Sequence, residues 1–303
     1  MPTDPNWPTA AEWLAGRARE GDAVRRLAVL GAPVRLGSLS GGRFDLAPEA
    51  VRRGLHRLST YDVETGYDVR RVAVRDDGDL DLADARPEEA LPPLAEAVGA
   101  SVDRADALVI LGGDNSITRP GVRGLGGDLR GVGLLTLDAH LDLRDTAGGL
   151  SNGNPIRALL EDGLPGENVF QVGIQAFANS GAYARDATAA GITVITAETA
   201  RARGVEAVVA GALEHLAERL DRIYVDLDLD VLDRAFAPAS PGSRPGGLAP
   251  ADLQAAARRC GGHPKVRALD LVEVDPERDV ADVTVLTAAS AVVAFASGLV
   301  ARG

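Results

Sequence analysis

Eight short apolar runs, separated by segments with helical periodicity, constrain the fold of this chain more than any other feature. The runs are rich in Val, Leu and Ile and predict strands at residues 27–31, 70–74, 107–111, 132–137, 169–174, 192–195, 222–229 and 266–274. Helical patterns lie between them, at residues 48–55, 88–98, 205–220 and 251–259. Continuously apolar strands joined by helices are typical of a parallel sheet that is covered on both faces. The sequence therefore predicts an α/β fold.

No linker or internal repeat interrupts this alternation, so we predict one domain over residues 23–303. Residues 1–22 precede the first predicted strand and carry Trp7 and Trp13 on an amphipathic stretch. We interpret this stretch as an N-terminal helical extension that packs on the body of the protein or on a neighbouring subunit. A partly ordered leader is the alternative interpretation of the same residues.

The charge and the cysteine content exclude several classes of protein. The formal charge of −12 argues against nucleic acid and anionic membranes as partners. Cys260 is the only cysteine, which excludes an internal disulfide and favours a reducing compartment. The polar, Pro-rich N-terminus does not resemble a signal peptide, and the longest apolar stretch, residues 288–300, is shorter than the roughly 20 residues that span a bilayer. We therefore expect a cytoplasmic protein.

Polar residues that can bind metal ions follow four of the predicted strands. They are Asn115, then Asp138, His140 and Asp142, then Asp228 and Asp230, and finally Glu273. Ligands of parallel sheets bind outside the carboxyl ends of the strands, so these side chains are expected to share one crevice. Carboxylates that share a crevice raise one another's pKa, and a pair of bound cations relieves that repulsion. The sequence therefore predicts a two-metal hydrolase.

Three of these segments resemble the signature blocks of the ureohydrolase family, which includes arginase, agmatinase and formimidoylglutamase. The blocks are Gly112-Gly-Asp-Asn-Ser116, Asp138-Ala-His-Leu-Asp142 and Asp228-Leu-Asp-Val-Leu-Asp233. Residues 31–38 and 47–52 resemble the opening strand, loop and first helix of the family, and Glu273 matches its terminal Glu-Val motif. The resemblance implies a three-layer αβα sandwich with an eight-stranded parallel sheet. It also implies a homo-oligomer, a trimer or a hexamer.

The resemblance also implies a role for each residue of the predicted site. Two Mn(II) ions are expected, bridged by Asp138 and Asp228. His140 and Asp230 would complete one metal site, and Asn115 and Asp142 the other. The metal pair would lower the pKa of a bridging water. Asp142 would orient the resulting hydroxide, and Glu273 would receive the N–H groups of the substrate, so these two residues are the predicted catalytic residues.

This chain departs from the family pattern at positions that matter for the chemistry. Asn115 stands where the family usually has His, so one metal site is expected to be weaker. The alternatives are a chain that works with one tightly held ion and a metal-poor pseudoenzyme. The segment 151–155 lacks the His that arginases carry as a proton shuttle, which leaves water, Asp142 or another acid to protonate the leaving amine. Asp226 stands where many relatives have Ser.

Two segments resemble the formimidoylglutamase branch of the family in particular. They are Arg144 with residues 151–157, which include the predicted substrate-binding Asn152, and residues 170–180. N-Formimidoyl-L-glutamate has two carboxylates, and the planar fork of Arg144 can bind a carboxylate through two hydrogen bonds. A surface ion pair with Asp145 is the alternative role of Arg144, and Arg157 is interpreted as structural.

The predicted reaction gives L-glutamate and formamide, as in histidine catabolism. The alternative reaction is that of an agmatinase, guanidinobutyrase or arginase, which would release urea.

Overall fold

The eight predicted strands form one parallel sheet in the structure, a computed structural model that describes residue 4, residues 6–19 and residues 21–302. The strands are β1 (Arg25–Ala32), β4 (Val72–Asp79), β5 (Ala107–Gly112), β6 (Val132–Leu137), β7 (Val169–Ile174), β8 (Thr193–Thr196), β9 (Arg222–Asp228) and β10 (Val266–Val272). Their order across the sheet is β4-β1-β5-β10-β9-β6-β7-β8, and every neighbouring pair is parallel. A short antiparallel pair, β2 (Tyr61–Asp62) and β3 (Tyr67–Asp68), lies outside it. The predicted eight-stranded parallel sheet is confirmed.

Helices cover both faces of the sheet and divide the core in two. The helices are α1 (Ala10–Leu14), α2 (Ala47–Gly54), α3 (Pro87–Val102), α4 (Thr118–Gly124), α5 (Pro155–Glu161), α6 (Gly181–Ala190), α7 (Ala197–Arg203), α8 (Val205–Ala217), α9 (Pro250–Gly262) and α10 (Val283–Val300). Helices α3 to α6 pack in one hydrophobic cluster, and the other helices pack in the second cluster. Alternate residues of β1 pack in the two clusters, with Leu27 and Val29 in one and Ala28 and Leu30 in the other. The protein is the predicted three-layer αβα sandwich.

The observed strand ends differ from the predicted ones for local reasons. Strand β4 runs on to Asp79 through polar residues, because it lies at the edge of the sheet and is partly exposed. Strand β10 ends at Val272, since Glu273 has a φ of +63° and turns the chain away from the sheet. Strand β9 ends at Asp228, and a 3₁₀ turn over Leu229–Val231 follows. These two early ends place acidic side chains at the edge of the sheet.

The N-terminal segment contains one short helix that packs on the body of the protein. Helix α1 begins with a capping box between Thr9 and Glu12. Trp13 is buried, and its indole Nε1 donates a hydrogen bond of 2.9 Å to the carbonyl of Val72. Trp7 is 56% exposed. The division into an extension at 1–22 and a domain at 23–303 stays a prediction, and residues 1–3, 5, 20 and 303 lie outside the described residues.

Helix α10 is long and apolar enough to cross a membrane, but it is a core helix of this fold. Of its 18 residues, 78% are buried inside the protein. It packs closely on α9, because glycines stand where the two helices approach each other. A Cβ atom on Gly298 would lie 2.0 Å from the carbonyl oxygen of Arg258, and one on Gly261 would lie 2.0 Å from that of Phe295.

We predict that Gly298→Ala destabilises the protein by about 1–3 kcal/mol, because the added methyl group pushes α9 and α10 apart. The matched control is Gly211→Ala in α8, where an added Cβ meets nothing within 4 Å. That change should stabilise the protein by about 0.5–1 kcal/mol, since alanine is the better helix former. Urea unfolding of the two variants measures both free energies. Equal stability of the two variants would contradict the close helix contact.

Candidate metal centre

The predicted site residues follow the four central strands of the sheet, β5, β10, β9 and β6. Asn115 follows β5, Glu273 follows β10, Asp228 ends β9 and Asp138 follows β6. Because neighbouring parallel strands end at the same edge, the fold brings these segments together. All four of these side chains are buried.

Asp138, His140 and Asp230 form a compact group of possible metal ligands. One ligand atom from each of the three lies within 4.8 Å of the other two. His140 Nδ1 is 2.8 Å from Asp230 Oδ2 and 3.5 Å from Asp138 Oδ1. Both carboxylates are almost fully buried, while the imidazole is partly exposed. The three side chains can therefore present two oxygens and one nitrogen to a single cation.

The same local turn shapes the chain after β6 and after β9. Asp138 Oδ1 accepts a hydrogen bond of 2.6 Å from the amide of His140, and Asp228 Oδ1 accepts one of 2.7 Å from the amide of Asp230. Asp230 Oδ1 also accepts a hydrogen bond of 3.1 Å from the amide of Ala139, which joins the two turns. The sequence pattern Asp-X-His and Asp-X-Asp therefore encodes the backbone of the site as well as its side chains.

Two amide side chains that our sequence reasoning did not assign hold these turns in place. Asn179 accepts a hydrogen bond from the amide of Leu141 and donates one to the carbonyl of Ala139, at 2.8 and 3.0 Å. Gln175 Nε2 donates to the carbonyl oxygens of Asp230 and Val231. Both amides follow β7, and the resemblance of residues 170–180 to one branch of the family was the only signal for them.

Asn115 and Asp142 meet on the other side of the site, with the Asn115 amide turned in a defined direction. Asn115 Nδ2 donates a hydrogen bond of 2.7 Å to Asp142 Oδ2, and Thr118 Oγ1 donates one of 2.7 Å to Asn115 Oδ1. The Asn115 side chain therefore directs its N–H group at Asp142, while its oxygen accepts a hydrogen bond from Thr118. In this arrangement Asn115 positions Asp142 and does not offer an oxygen beside it. Its predicted role as a metal ligand stays a prediction.

Glu273 and Asn152 form a second hydrogen-bonded unit above these residues. Glu273 Oε1 accepts hydrogen bonds of 2.8 Å from the amide of Asn115 and 2.9 Å from Asn152 Nδ2. The backbone amide of Glu273 donates to the carbonyl of Gly113, which fixes the residue in its left-handed conformation. Asn152 Oδ1 accepts from the amide of Leu39, so the same amide joins Glu273 to the rim of the pocket.

The buried acids of the site carry strongly perturbed pKa values. Burial, together with Asp230, raises the pKa of Asp138 to about 6, and burial together with Asp114 raises that of Glu273 to about 8. Burial and neighbouring carboxylates raise the pKa values of Asp142 and Asp228 well above the ordinary range. Asp230 raises the pKa of His140. Such crowding of like charges at low solvation is relieved when a cation binds.

The donor set fits hard divalent cations. Carboxylate oxygens predominate and a single imidazole is present, a combination that suits Mn(II). No cation side chain lies within 4 Å of Asp142, Asp228 or Glu273 among the described residues, so the protein itself does not neutralise these carboxylates with an ion pair. The residues present therefore support the metal site that the sequence predicts.

A pocket with a cavity volume of about 200 Å³ opens over these side chains. Two arginines line it, Arg144 and Arg244. Arg144 is exposed and forms no ion pair with Asp145, whose Oδ1 accepts from the amide of Ala147. Arg157 binds Asp186 and the carbonyl of Leu143, as a structural residue would. No sequence motif marks Arg244, which lies in an irregular segment after β9.

The fold and the site define an α/β enzyme with a group of side chains that could hold a metal ion at the carboxyl edge of its sheet. The chain belongs to the arginase family, whose family model matches residues 25–297. It is therefore a hydrolase of that family, and the predicted family resemblance is confirmed. The family depends on a binuclear metal centre.

Relatives of known name show how far the similarity extends. A formimidoylglutamase from Halalkalibacterium halodurans is 34% identical over 288 residues, which cover 92% of this chain and 89% of the relative. A guanidinopropionase from Pseudomonas aeruginosa is 34% identical over 271 residues, which cover 86% of this chain and 80% of that relative. The chain is thus similar to enzymes that are named for two different substrates.

Solved structures agree with the fold. The crystal structure of formimidoylglutamase from Bacillus subtilis has a TM-score of 0.89 at 28% identity and covers 100% of this chain and 95% of its own. The structure of Trypanosoma cruzi formiminoglutamase with Mn²⁺ has a TM-score of 0.86 at 23% identity, with 98% and 100% of the two chains covered. At that lower identity the likeness shows the fold alone.

We predict that Asp230→Asn weakens Mn(II) binding by more than about tenfold, because it removes an anionic ligand beside His140. The matched control is Asp226→Asn. Asp226 is buried in the adjacent part of β9 and has a raised pKa, but it is not part of the Asp138, His140 and Asp230 group. Metal titration after chelation measures both affinities. Unchanged binding in both variants would exclude this group as a metal site.

We predict that the metal-free protein loses stability as the pH rises from 6 to 8. The folded pKa of Glu273 is raised from 4.5 to about 8, so the folded chain binds more protons than the unfolded chain between these values. Stability then falls with rising pH, by about 2 kcal/mol for this one group across that interval. Urea unfolding with a chelator present measures the change.

Glu273→Gln should reduce this pH dependence by the share of Glu273, because the amide does not titrate, whereas the raised pKa of His140 leaves a fall in the same direction. Saturating Mn(II) should flatten it too, since cations replace the bound protons. Stability of the metal-free parent that rises from pH 6 to pH 8 would contradict the raised pKa.

Proposed function

We propose that this protein hydrolyses the formimidoyl C–N bond of N-formimidoyl-L-glutamate to give L-glutamate and formamide, as in histidine catabolism. One observation carries the proposal: a crowded acidic cluster lies at the base of a pocket whose wall includes Arg144 and Arg244. The acids suit a metal-activated hydrolysis, and the arginines suit a substrate that has carboxylates. Similarity to formimidoylglutamases over most of the chain supports the same reaction.

We further propose that the metal is Mn(II) and that two ions bind. Asp138 and Asp228 would bridge them, with His140 and Asp230 on one ion and Asp142, with Asn115, on the other. When bound, the metal pair supplies a water of lowered pKa as the nucleophile. The Trypanosoma cruzi relative of the same fold carries Mn²⁺ in its structure. Because Asn115 turns its N–H group toward Asp142, we expect the second site to be the weaker one.

Glu273 is suited to hold the amidine group of the substrate. Its Oε1 is already held by Asn115 and Asn152, which fixes the plane of the carboxylate. Its Oε2 has no hydrogen-bond partner among the described residues and can accept an N–H of the substrate. Asn152 would then act on the substrate through Glu273, which modifies its predicted role as a direct substrate-binding residue.

Asp142 is suited to transfer protons during the reaction. Burial and the neighbouring Asp138 raise its pKa, which favours a role in proton transfer. Its Oδ2 is held by Asn115, which keeps the carboxyl aimed beside Asp138 and Asp228. We propose that Asp142 orients the nucleophile and then returns the proton to the leaving amine, in place of the histidine shuttle of arginases. A cytoplasmic homo-oligomer, a trimer or a hexamer, remains part of this proposal.

Hydrolysis of a guanidino acid with release of urea is the second candidate. The similarity to a guanidinopropionase at 34% identity favours it, and the metal site would be the same. A single carboxylate on such a substrate would need only one of the two arginines. The number of carboxylates that the pocket recognises therefore separates the two reactions. A metal-poor pseudoenzyme is the remaining alternative.

We predict that Mn(II)-loaded protein releases L-glutamate from N-formimidoyl-L-glutamate and releases little urea from 4-guanidinobutyrate, agmatine or L-arginine. Asp228→Ala should abolish turnover and lower the metal content, because it removes a bridging carboxylate. Asp226→Asn is the control that should keep both.

Product assays together with metal analysis distinguish the outcomes. Urea as the main product would replace the proposed substrate but keep the metal site. Full activity of Asp228→Ala would exclude the proposed metal ligands. The absence of turnover and of bound Mn(II) in the parent would favour the pseudoenzyme.

A further inference from the structure

Arg244 has a fixed backbone and a guanidinium group that is only partly engaged. Arg244 forms an isolated parallel bridge with Asp233, and its carbonyl accepts a hydrogen bond of 3.1 Å from the amide of Arg234. Its Nη1 lies 2.6 Å from the carbonyl of Gly242 and 2.9 Å from His140 Nε2. Its Nε and Nη2 atoms have no hydrogen-bond partner among the described residues. One edge of the guanidinium is therefore held while the other edge is available.

The segment that carries Arg244 lies directly against the metal-binding group. A Cβ atom on Gly242 would be 2.1 Å from Asp230 Oδ2 and 3.1 Å from His140 Cε1. Only glycine allows the chain to approach these two side chains so closely. The backbone that carries Arg244 is therefore held close to the proposed reaction centre.

The available edge of Arg244 has the shape that a carboxylate recognises. The Nε–Nη2 edge of an arginine donates two parallel hydrogen bonds to one carboxylate. Although the pocket is rich in acids, no carboxylate oxygen lies within 4 Å of Arg244 among the described residues. A metal ion on His140 Nδ1 would leave the ring proton on Nε2, which then could not accept from Arg244. Nη1 would still donate to the carbonyl of Gly242, and its other N–H would become available to a ligand.

Arg144 provides a second cation in the same pocket, with a more exposed side chain than Arg244. Its side chain is exposed, packs on Gly153 and has no charged partner among the described residues. Arg244 contacts His140 directly, whereas Arg144 stands at the open rim of the same pocket. The two cations therefore differ in exposure, and Arg244 is the one that contacts a residue of the metal-binding group.

We propose that Arg244 binds the carboxylate next to the reacting nitrogen, the α-carboxylate of an N-substituted glutamate, and that Arg144 binds the γ-carboxylate. The pair makes the site selective for substrates with two carboxylates over guanidino acids with one. This inference rests on the proposed function. It assigns Arg244 as the residue that recognises the α-carboxylate, the part of the substrate nearest to the reacting nitrogen.

The test measures the binding of three ligands to the parent protein and to three variants. Calorimetric titration of the Mn(II)-loaded protein gives the affinities of L-glutamate, of 4-aminobutyrate, which lacks the α-carboxylate, and of L-2-aminobutyrate, which lacks the γ-carboxylate. The variants are Arg244→Met and Arg144→Met. Arg185→Met, an exposed residue of α6 outside the pocket, is the control for the loss of one positive charge.

Arg244→Met should weaken L-glutamate binding by about 10- to 100-fold and leave 4-aminobutyrate binding unchanged. Arg144→Met should weaken L-glutamate in the same way and leave L-2-aminobutyrate unchanged. Equal weakening of L-glutamate and 4-aminobutyrate by Arg244→Met would overturn the assignment. Metal content and melting temperature, measured in parallel, show whether the variant has kept the loop and the metal site.

The same experiment separates this inference from the proposed function. Turnover of N-formimidoyl-L-glutamate by the parent, with L-glutamate affinity unaltered in Arg244→Met, would overturn only the role of Arg244. A parent protein that neither binds L-glutamate nor turns over the formimidoyl substrate would overturn both. Retained L-glutamate affinity in the Arg185→Met control, beside the losses in the two pocket variants, would support the inference.

Discussion

Mutual repulsion among buried carboxylates is the constraint on which the rest of this site depends. Asp138, Asp142, Asp228, Asp230 and Glu273 are all buried at one edge of the sheet, and no Lys or Arg among the described residues forms an ion pair with them. Burial and mutual repulsion raise the pKa values of Asp138, Asp142, Asp228 and Glu273, whereas the adjacent His140 lowers that of Asp230. The hydrogen bonds from Asn115, Asn152 and backbone amides hold each carboxylate in place but do not neutralise it. A bound cation would relieve this repulsion, which is the physical basis of the proposed metal site.

The parallel sheet converts this local chemistry into a rigid arrangement. Four adjacent central strands end at the same level, so each needs to supply only one to three side chains. The two hydrophobic clusters on the faces of the sheet fix the spacing of these strands. Amides after β7, Asn179 and Gln175, then hold the turns that carry Asp138 and Asp230. The site is built from positions that cannot move independently of the core.

Sequence reasoning could predict the parts of the molecule that repeat a pattern. The apolar runs predicted every strand of the main sheet, and the acidic motifs after them predicted which side chains meet. The direction of the Asn115 amide could not be predicted, because it depends on Thr118 and Asp142, which only the fold brings together. Arg244 could not be predicted either, since its position depends on Gly242 fitting against Asp230. The left-handed conformation of Glu273, a non-glycine residue, had no signal in the sequence.

The two pocket arginines occupy a different part of the scaffold from most of the acids. Asp138, Asp228, Asp230 and Glu273 end strands or follow them within two residues, whereas Arg144 and Arg244 lie in irregular segments farther along the chain. Loops tolerate substitution and insertion better than the strands that they join. Evolution can therefore exchange the recognition groups of this scaffold while the hydrolytic centre stays the same. Such a division of labour explains how one fold can serve relatives that are named for chemically different amidines.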